Sequence, residues 1–424
     1  MNVLELTGIL LLLASFFSII NLRLLKLPQT IGLMVLAIGL SVFILIIGLI
    51  FPEFLESVIE MNNSFDFSVL LIDIMLPFLL FAGAISVNVH QLLKDKLTIL
   101  LLASFGVVFS TFAVGLGVFW LIEQPFFGLN TLGLTLVDCL LFGALIAPTD
   151  PIAVLSIVKK MKLSPTTETR IAGESLFNDG IGVVVFLTLL KVKMSGIENI
   201  TMGSVSSLFA NEVFGGIFIG CLLGYLGLKL VKYVENEHVE LEVLITLSLV
   251  LLVSIISSKF HFSGPLGVVM MGLFLNRNID TESGEVGVQK AMGDYVYKFW
   301  HLLDETLNAI LFILIGLAII PIFQNFNSTY LIISILTILI VVISRSIGVF
   351  VPIKFLSFFK TFEKGTAFII SWGGLRGGLS IALALNLPDQ LGQGKDLLLF
   401  LSYSVVLFSI LVQGLTLEKL SKNI

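Results

Sequence analysis

The stretch Leu145-Ile146-Ala147-Pro148-Thr149-Asp150-Pro151-Ile152-Ala153 decides how this chain must fold. It is apolar except at its centre, where two prolines flank a threonine and an aspartate. Proline lacks an amide donor, and its ring disfavours helix for the residue before it. A helix over residues 131–158 should therefore break between Pro148 and Pro151. In an apolar setting, broken backbone survives only where it is buried in protein or lines a cavity. The break frees carbonyls and amide ends that can coordinate ions. Asp150 is placed to cap the positive end of the second half-helix, and the same side chain can also line a site.

The composition shows what that setting is. The 424 residues are 57% hydrophobic and only 12% charged, with a mean hydropathy of +1.08. A soluble domain carries about 25% charge, so this chain cannot be wrapped in a water-facing surface. Apolar runs fall at 4–22, 28–50, 67–88, 97–122, 131–158, 168–192, 209–233, 240–258, 262–276, 299–322, 328–352, 364–385 and 395–417. They point to an all-α polytopic membrane protein of about 13 spans, since a spanning helix needs about 20 apolar residues. The runs are continuous rather than alternating, which excludes a β-barrel. No soluble domain is expected, and the polar stretch 277–298 reads as a loop. The net charge of −5 is spread over short loops and leaves no basic footprint for nucleic acid. Cys139 and Cys221 sit in apolar runs and read as small core residues rather than a disulfide. The N-terminus lacks a basic leader and a cleavage site, so the first helix is expected to be retained.

Lysine and arginine distribute unevenly among the loops. With the N-terminus outside, the cytoplasmic loops hold eighteen of the 24, among them Arg23, Lys94, Lys96, Lys159, Lys160, Lys162, Arg170, Lys290, Lys360 and Lys422. The opposite loops hold Lys191, Lys193, Lys259 and Lys395, and an acidic loop with Glu53, Glu56, Glu60 and Asp66. This bias orients the chain with its N-terminus outside and its C-terminus in the cytoplasm; the membrane is expected to be the plasma membrane. Two cations remain, Arg345 and Arg376, both inside apolar runs. A charge at membrane depth is costly and needs a partner or a wet cavity.

Asp138, Asp150, Glu174 and Asp179 are the acidic counterparts in neighbouring segments. In Ala172-Gly173-Glu174-Ser175-Leu176-Phe177-Asn178-Asp179-Gly180-Ile181-Gly182, residues four apart share a helix face. Ser175 then lies with Asp179, and Glu174 with Asn178. A carboxylate beside a hydroxyl and an amide is hard oxygen chemistry, suited to Na⁺ or Li⁺ and unlike a zinc or thiolate site. If protons and the cation compete for Asp179, exchange follows: one site, two ligands, never both. Glu174 reads as a structural partner for Arg345, and Asp138 as a packing or mouth residue.

The run Ser371-Trp372-Gly373-Gly374-Leu375-Arg376-Gly377-Gly378-Leu379-Ser380 should interrupt a second helix, because glycine costs about 1 kcal/mol per residue in a helix relative to alanine. Dividing the chain into a first repeat (1–195), a connector helix (205–235) and a second repeat (238–424) makes this span and the Pro148–Pro151 span equivalent. With one connector helix the repeats are inverted, and two interrupted helices crossing at mid-membrane point to a transporter's binding site.

Ala147-Pro-Thr-Asp-Pro151, Gly173-Glu-Ser-Leu-Phe-Asn-Asp179 and Trp372-Gly-Gly-Leu-Arg-Gly377 together resemble the cation:proton antiporter-1 family. Its members are the NhaP-type sodium/proton antiporters and the eukaryotic sodium/hydrogen exchangers. The resemblance implies a thirteen-helix inverted-repeat fold, split into a dimerisation domain and a mobile core, that acts as a homodimer in pH homeostasis. It makes Asp179 the exchanging carboxylate, with Asp150, Ser175 and Thr149 completing the site for the transported cation. Glu174 is implied to pair with Arg345. Asn178, Arg376, Pro148 and Pro151 are assigned to the scaffold. Members with an Asn-Asp pair are generally electroneutral, so Asn178 implies one proton per cation.

The chain stops soon after its last apolar run, so no regulatory tail, and no partner that binds one, is expected. No cofactor is expected beyond the lipid bilayer and the transported ions, Na⁺ (or Li⁺ or K⁺) and H⁺. The oxygen ligands do not separate Na⁺ from K⁺, which leaves K⁺/H⁺ exchange as an alternative. A more remote alternative is an intramembrane aspartyl protease using Asp150 and Asp179 as a dyad. That chemistry gives no role to the flanking prolines or buried arginines, and the chain is read as a transporter rather than an enzyme. A passive channel would want rings of weak ligands rather than one titratable carboxylate.

Overall fold

The apolar runs become helices, and the two glycine- and proline-rich motifs interrupt them. The computed structural model describes residues 3–63, 69–151, 154–155, 158, 164–195, 202–234, 238–277, 293–320 and 328–421. In chain order the helices are α1 (Val3–Ile20), α2 (Gln29–Ile50), α3 (Pro52–Asn63), α4 (Leu76–Ser86), α5 (Val89–Lys94), α6 (Lys96–Ile122), α7 (Leu136–Ile146), α8 (Pro165–Ser195), α9 (Met202–Tyr233), α10 (Val239–Phe260), α11 (Gly264–Arg277), α12 (Gly293–Leu317), α13 (Ser328–Leu356), α14 (Thr366–Trp372), α15 (Gly378–Leu385), α16 (Gln393–Phe408) and α17 (Leu415–Ser421). Among the described residues there is no strand.

Nine helical segments among the described residues are long and apolar enough to cross a membrane. Three shorter apolar segments join them: Leu70–Ser86, Leu136–Ile146 and Gly264–Asn276. With the broken pair α14 and α15, they fill the thirteen places read from the sequence. The protein is an all-α polytopic membrane protein. Most of the loop at 277–298, with Lys290, lies outside the described residues, as do Lys159, Lys160, Lys162, Lys422 and Asp66 of the charge reading, and Ile152 and Ala153 after the break.

The acidic loop expected after α2 contains a helix instead. Within α3, Phe54 and Leu55 recur with Val58 at helical spacing, and Pro52 sits at the first turn, where its missing amide costs nothing. The apolar face is too short to register as a span. Leu55 packs back on Gly48 of α2, where an added Cβ would come within 2.7 Å of the leucine.

The helices sort into two packed groups. α6, α7, α8, α13, α15 and α16 pack mainly on one another, as do α1, α2, α4, α9, α10, α11 and α12. In the first group, small residues let backbones approach, the usual means of packing helices in lipid. An added Cβ on Gly115 of α6 would meet the Leu140 Cα of α7 at 2.8 Å. The second group closes around Trp300 of α12, which is fully buried. Its ring lies 4.5 Å from Phe81, and its Nε1 donates to Thr246 Oγ1 at 3.0 Å. A buried tryptophan contributes a large apolar area, and that hydrogen bond satisfies its one polar atom.

Candidate ion-exchange site

The two interruptions lie against each other and satisfy each other's backbone. α7 ends at Ile146, leaving the carbonyls of its last turn without helical partners. The Arg376 guanidinium, from the α14–α15 interruption, donates to the Ala147 carbonyl and, at 2.9 Å, to the Pro148 carbonyl. A cation there also faces the negative end of the α7 dipole. In return, the Asp150 amide donates to the Leu375 carbonyl at 2.7 Å. The Arg376 amide donates to Ser409 Oγ at 2.8 Å, in a π-helical turn over Ser409–Gly414. Gly377 permits the crossing, because a Cβ there would come within 2.6 Å of the Asp150 Cβ. Gly182 of α8 likewise leaves room for the Pro148 ring.

α8 presents a closed network beside this crossing. Arg345 of α13 donates to Glu174 through both Nη atoms, at 2.6 and 2.9 Å. Both residues are buried. The Asn178 side chain donates to Glu174 Oε1 at 3.0 Å and to Thr149 Oγ1 at 2.7 Å. Its carbonyl oxygen accepts from the Thr149 amide at 3.1 Å. Ser175 Oγ donates to the Thr149 carbonyl and lies 3.4 Å from its hydroxyl. The structure thus brings Glu174, Arg345, Asn178, Ser175 and Thr149 into one cluster, tying α8 to the freed backbone of the broken helix.

Asp179 stands apart from that cluster. Half-buried, it lines a cavity of about 600 Å³ together with Thr149, Asp150 and Gly377. Among the described residues no hydrogen bond or ion pair reaches its carboxylate. The cavity extends to exposed positions at Asn88, Pro165 and His301. It lies between the two helix groups, with α8 and the crossing on one wall and α4 and α12 on the other.

Asp138 is elsewhere. Buried in the first turn of α7, it forms a capping box with Thr135 and an ion pair with Lys193 at 2.9 Å. Ser175 was expected to lie with Asp179; its hydroxyl instead turns to the Thr149 carbonyl, because a broken helix leaves that acceptor open. Sequence reasoning passed over Asp304 and Asn308 of α12, which line the cavity opposite Asp179. They are four apart inside the run 299–322, so the pairing rule applied to Glu174 and Asn178 would have found them.

At the end of α8 where the cavity opens, Asp95 accepts from Arg170 at 2.5 Å and also pairs with Lys360. Burial by itself would raise the Asp95 carboxyl. The hydrogen bonds and charges of Lys360 and Arg170 outweigh it and hold the group below the usual carboxylate range. Among the described residues, no group of three or more His, Cys, Asp or Glu is arranged to hold a resident metal ion.

Helices of membrane length around two interrupted segments, with a carboxylate-bearing cavity beside them, define a membrane transporter of the interrupted-helix class. Residues 11–422 match the family described as sodium/hydrogen exchanger, transmembrane, and the chain belongs to that family. It is 39% identical to the Na⁺/H⁺ antiporter NhaP of Pseudomonas aeruginosa, over 99% of this chain and 97% of that protein. The Na⁺/H⁺ antiporter NhaH of Halobacillus dabanensis is 33% identical over 98% of this chain and 97% of its own length. Among solved structures, the sodium proton antiporter MjNhaP1 from Methanocaldococcus jannaschii at pH 8 has a similar fold. Its TM-score is 0.75 at 19% identity, covering 99% of this chain and 97% of that one.

Proposed function

We propose that this protein is a secondary active antiporter that exchanges Na⁺ for H⁺ by alternating access, with Asp179 carrying either ion. The observation that carries this reading is the contrast on α8: Glu174 is paired, whereas no hydrogen bond or ion pair among the described residues reaches Asp179. An ionised carboxylate in an apolar span is costly, so Asp179 holds a proton or a cation. Asp150 and Thr149, which line the same cavity, supply further oxygens around it, and Ser175 joins them only by releasing the Thr149 carbonyl. The names of the relatives NhaP and NhaH support Na⁺ as the cation.

Asn178 commits its amide to Thr149 and Glu174, so it adds no second exchanging group. Exchange is therefore electroneutral, one proton per cation. In this reading the group holding α7, α8 and α15 moves against the group holding α4 and α12, carrying Asp179 from one face to the other. The repeats 1–195 and 238–424, joined by a connector at 205–235, supply one interrupted helix each. The protein works as a homodimer in the plasma membrane, with its C-terminus and the cavity mouth on the cytoplasmic side.

The test is exchange in proteoliposomes, read by an internal pH dye after addition of Na⁺, Li⁺ or K⁺. Wild-type protein should collapse a pH gradient with Na⁺ and Li⁺ independently of membrane potential, and Asp179→Asn should not. Exchange by Asp179→Asn above the level of empty vesicles would end the assignment, and a response to K⁺ alone would replace the cation.

A further inference from the structure

We infer that Asp304 and Asn308 of α12 form an outer oxygen station that receives the cation from the cavity and passes it to Asp179. Three observations on α12 support it. The Asn308 side chain donates to Asp304 Oδ1 at 2.9 Å and to the Asp304 backbone carbonyl at 2.8 Å, which fixes the carboxylate's orientation. No donor among the described residues reaches the other Asp304 oxygen. Asn308 itself is 3% exposed, lines the cavity, and leaves its carbonyl oxygen Oδ1 without a hydrogen bond among the described residues. A buried acceptor without a partner is costly, so this oxygen, in a residue of the cavity wall, suits a ligand that the side chain turns to meet.

The direction of this face is fixed by packing. Asp304, Asn308 and Leu311 follow one another at helical spacing, and Leu311 packs directly on Gly378 at the start of α15. The stripe that carries the two polar residues therefore looks at the crossing, and Asp304 and Asp150 line the same cavity. A carboxylate and an amide carbonyl are hard oxygen donors, suited to an alkali cation that keeps part of its water.

The station stands on the helix group opposite to the one that bears Asp179, so it serves the ion only while the cavity is open on its side. Asp304 is thus a residue for capture, which acts on apparent affinity at one face. Asn308 positions it and adds a ligand. The inference rests on the reading of Asp179 as the exchanging site, and the experiment keeps the two apart.

Exchange is measured in oriented vesicles with Na⁺ varied separately on each side, for wild type, Asp304→Asn, Asp304→Glu and Asn308→Ala, with Asp179→Asn as the inactive reference. Removing binding that ground and transition states share raises KM and leaves the maximal rate. The expected result is that Asp304→Asn raises the Na⁺ KM at least about fivefold on the cavity side, with the maximal rate within about twofold of wild type. Asp304→Glu should recover most of the affinity, and Asn308→Ala should shift KM the same way. An unchanged KM, or equal losses on both sides, overturns the station. Should Asp304→Asn not yield folded protein, ²³Na line broadening of purified Asn308→Ala decides: weaker Na⁺ retention supports the station, and wild-type retention overturns it. Residual exchange in Asp179→Asn would instead refute the underlying site.

Discussion

Two carboxylates on α8, Glu174 and Asp179, sit in opposite circumstances. Around Glu174 the bond-forming capacity is used up: Arg345 clamps it from α13, and Asn178 ties it to the broken helix. Around Asp179 a cavity opens, and no protein donor among the described residues fills it. Pairing makes a buried charge structural, whereas an open carboxylate beside water can change its ligand. In the proposed reading, the difference teaches that identical chemistry in one helix is sorted into scaffold and site by what the neighbouring elements bring.

The largest expected effect comes from the open side. Asp179→Asn should reduce exchange to the level of empty vesicles while leaving the thermal midpoint of the purified protein near wild type, since no partner is removed. On the closed side the order reverses. Glu174→Ala leaves Arg345 buried and unpaired, so stability should fall by about 3–5 kcal/mol. The double variant with Arg345→Ala should lose less than the sum of the single losses, because removing both leaves no lone charge. Thermal denaturation in detergent measures both. A stable Glu174→Ala with altered ion preference would erase the distinction.

Asn178→Ala sharpens the comparison at smaller cost. It deletes the link between the pair and Thr149, so about 1–3 kcal/mol should be lost through the unmade buried bonds. Exchange should persist at a reduced rate and stay insensitive to an imposed membrane potential. The smallest effect lies at the end of α8 where the cavity opens. Asp95 is held below the usual carboxylate range in the folded protein, so its stabilisation is present above that range and is lost as pH falls through the lowered value. The thermal midpoint should hold from neutral to mildly acidic pH and then drop, and Asp95→Asn should flatten that drop.

Much of this was legible in the chain. Pro148 and Pro151 forecast the first break because proline's constraint is local, and four glycines around Arg376 forecast the second. Spacing alone placed Asn178 with Glu174. What Arg376 does was not legible, since its acceptors are backbone carbonyls freed in another helix, 228 and 229 positions away in sequence. The turn of Ser175 toward Thr149 was hidden for the same reason. Asp304 and Asn308 were within reach of the same spacing rule, but their helix carries no proline or glycine cluster to mark it, and only facing the crossing gives the pair its meaning. α3 was missed because its apolar face is too short to stand out among longer runs.

The central claim is that one carboxylate holds either ion, and it is tested most directly by titrating Na⁺ into purified protein in buffers of different ionisation enthalpy. Calorimetry then counts the protons released per cation bound. Wild type should release one proton per Na⁺, and Asp179→Asn should show neither the release nor the binding heat. Na⁺ binding without proton release, or undiminished release from Asp179→Asn, would contradict the account.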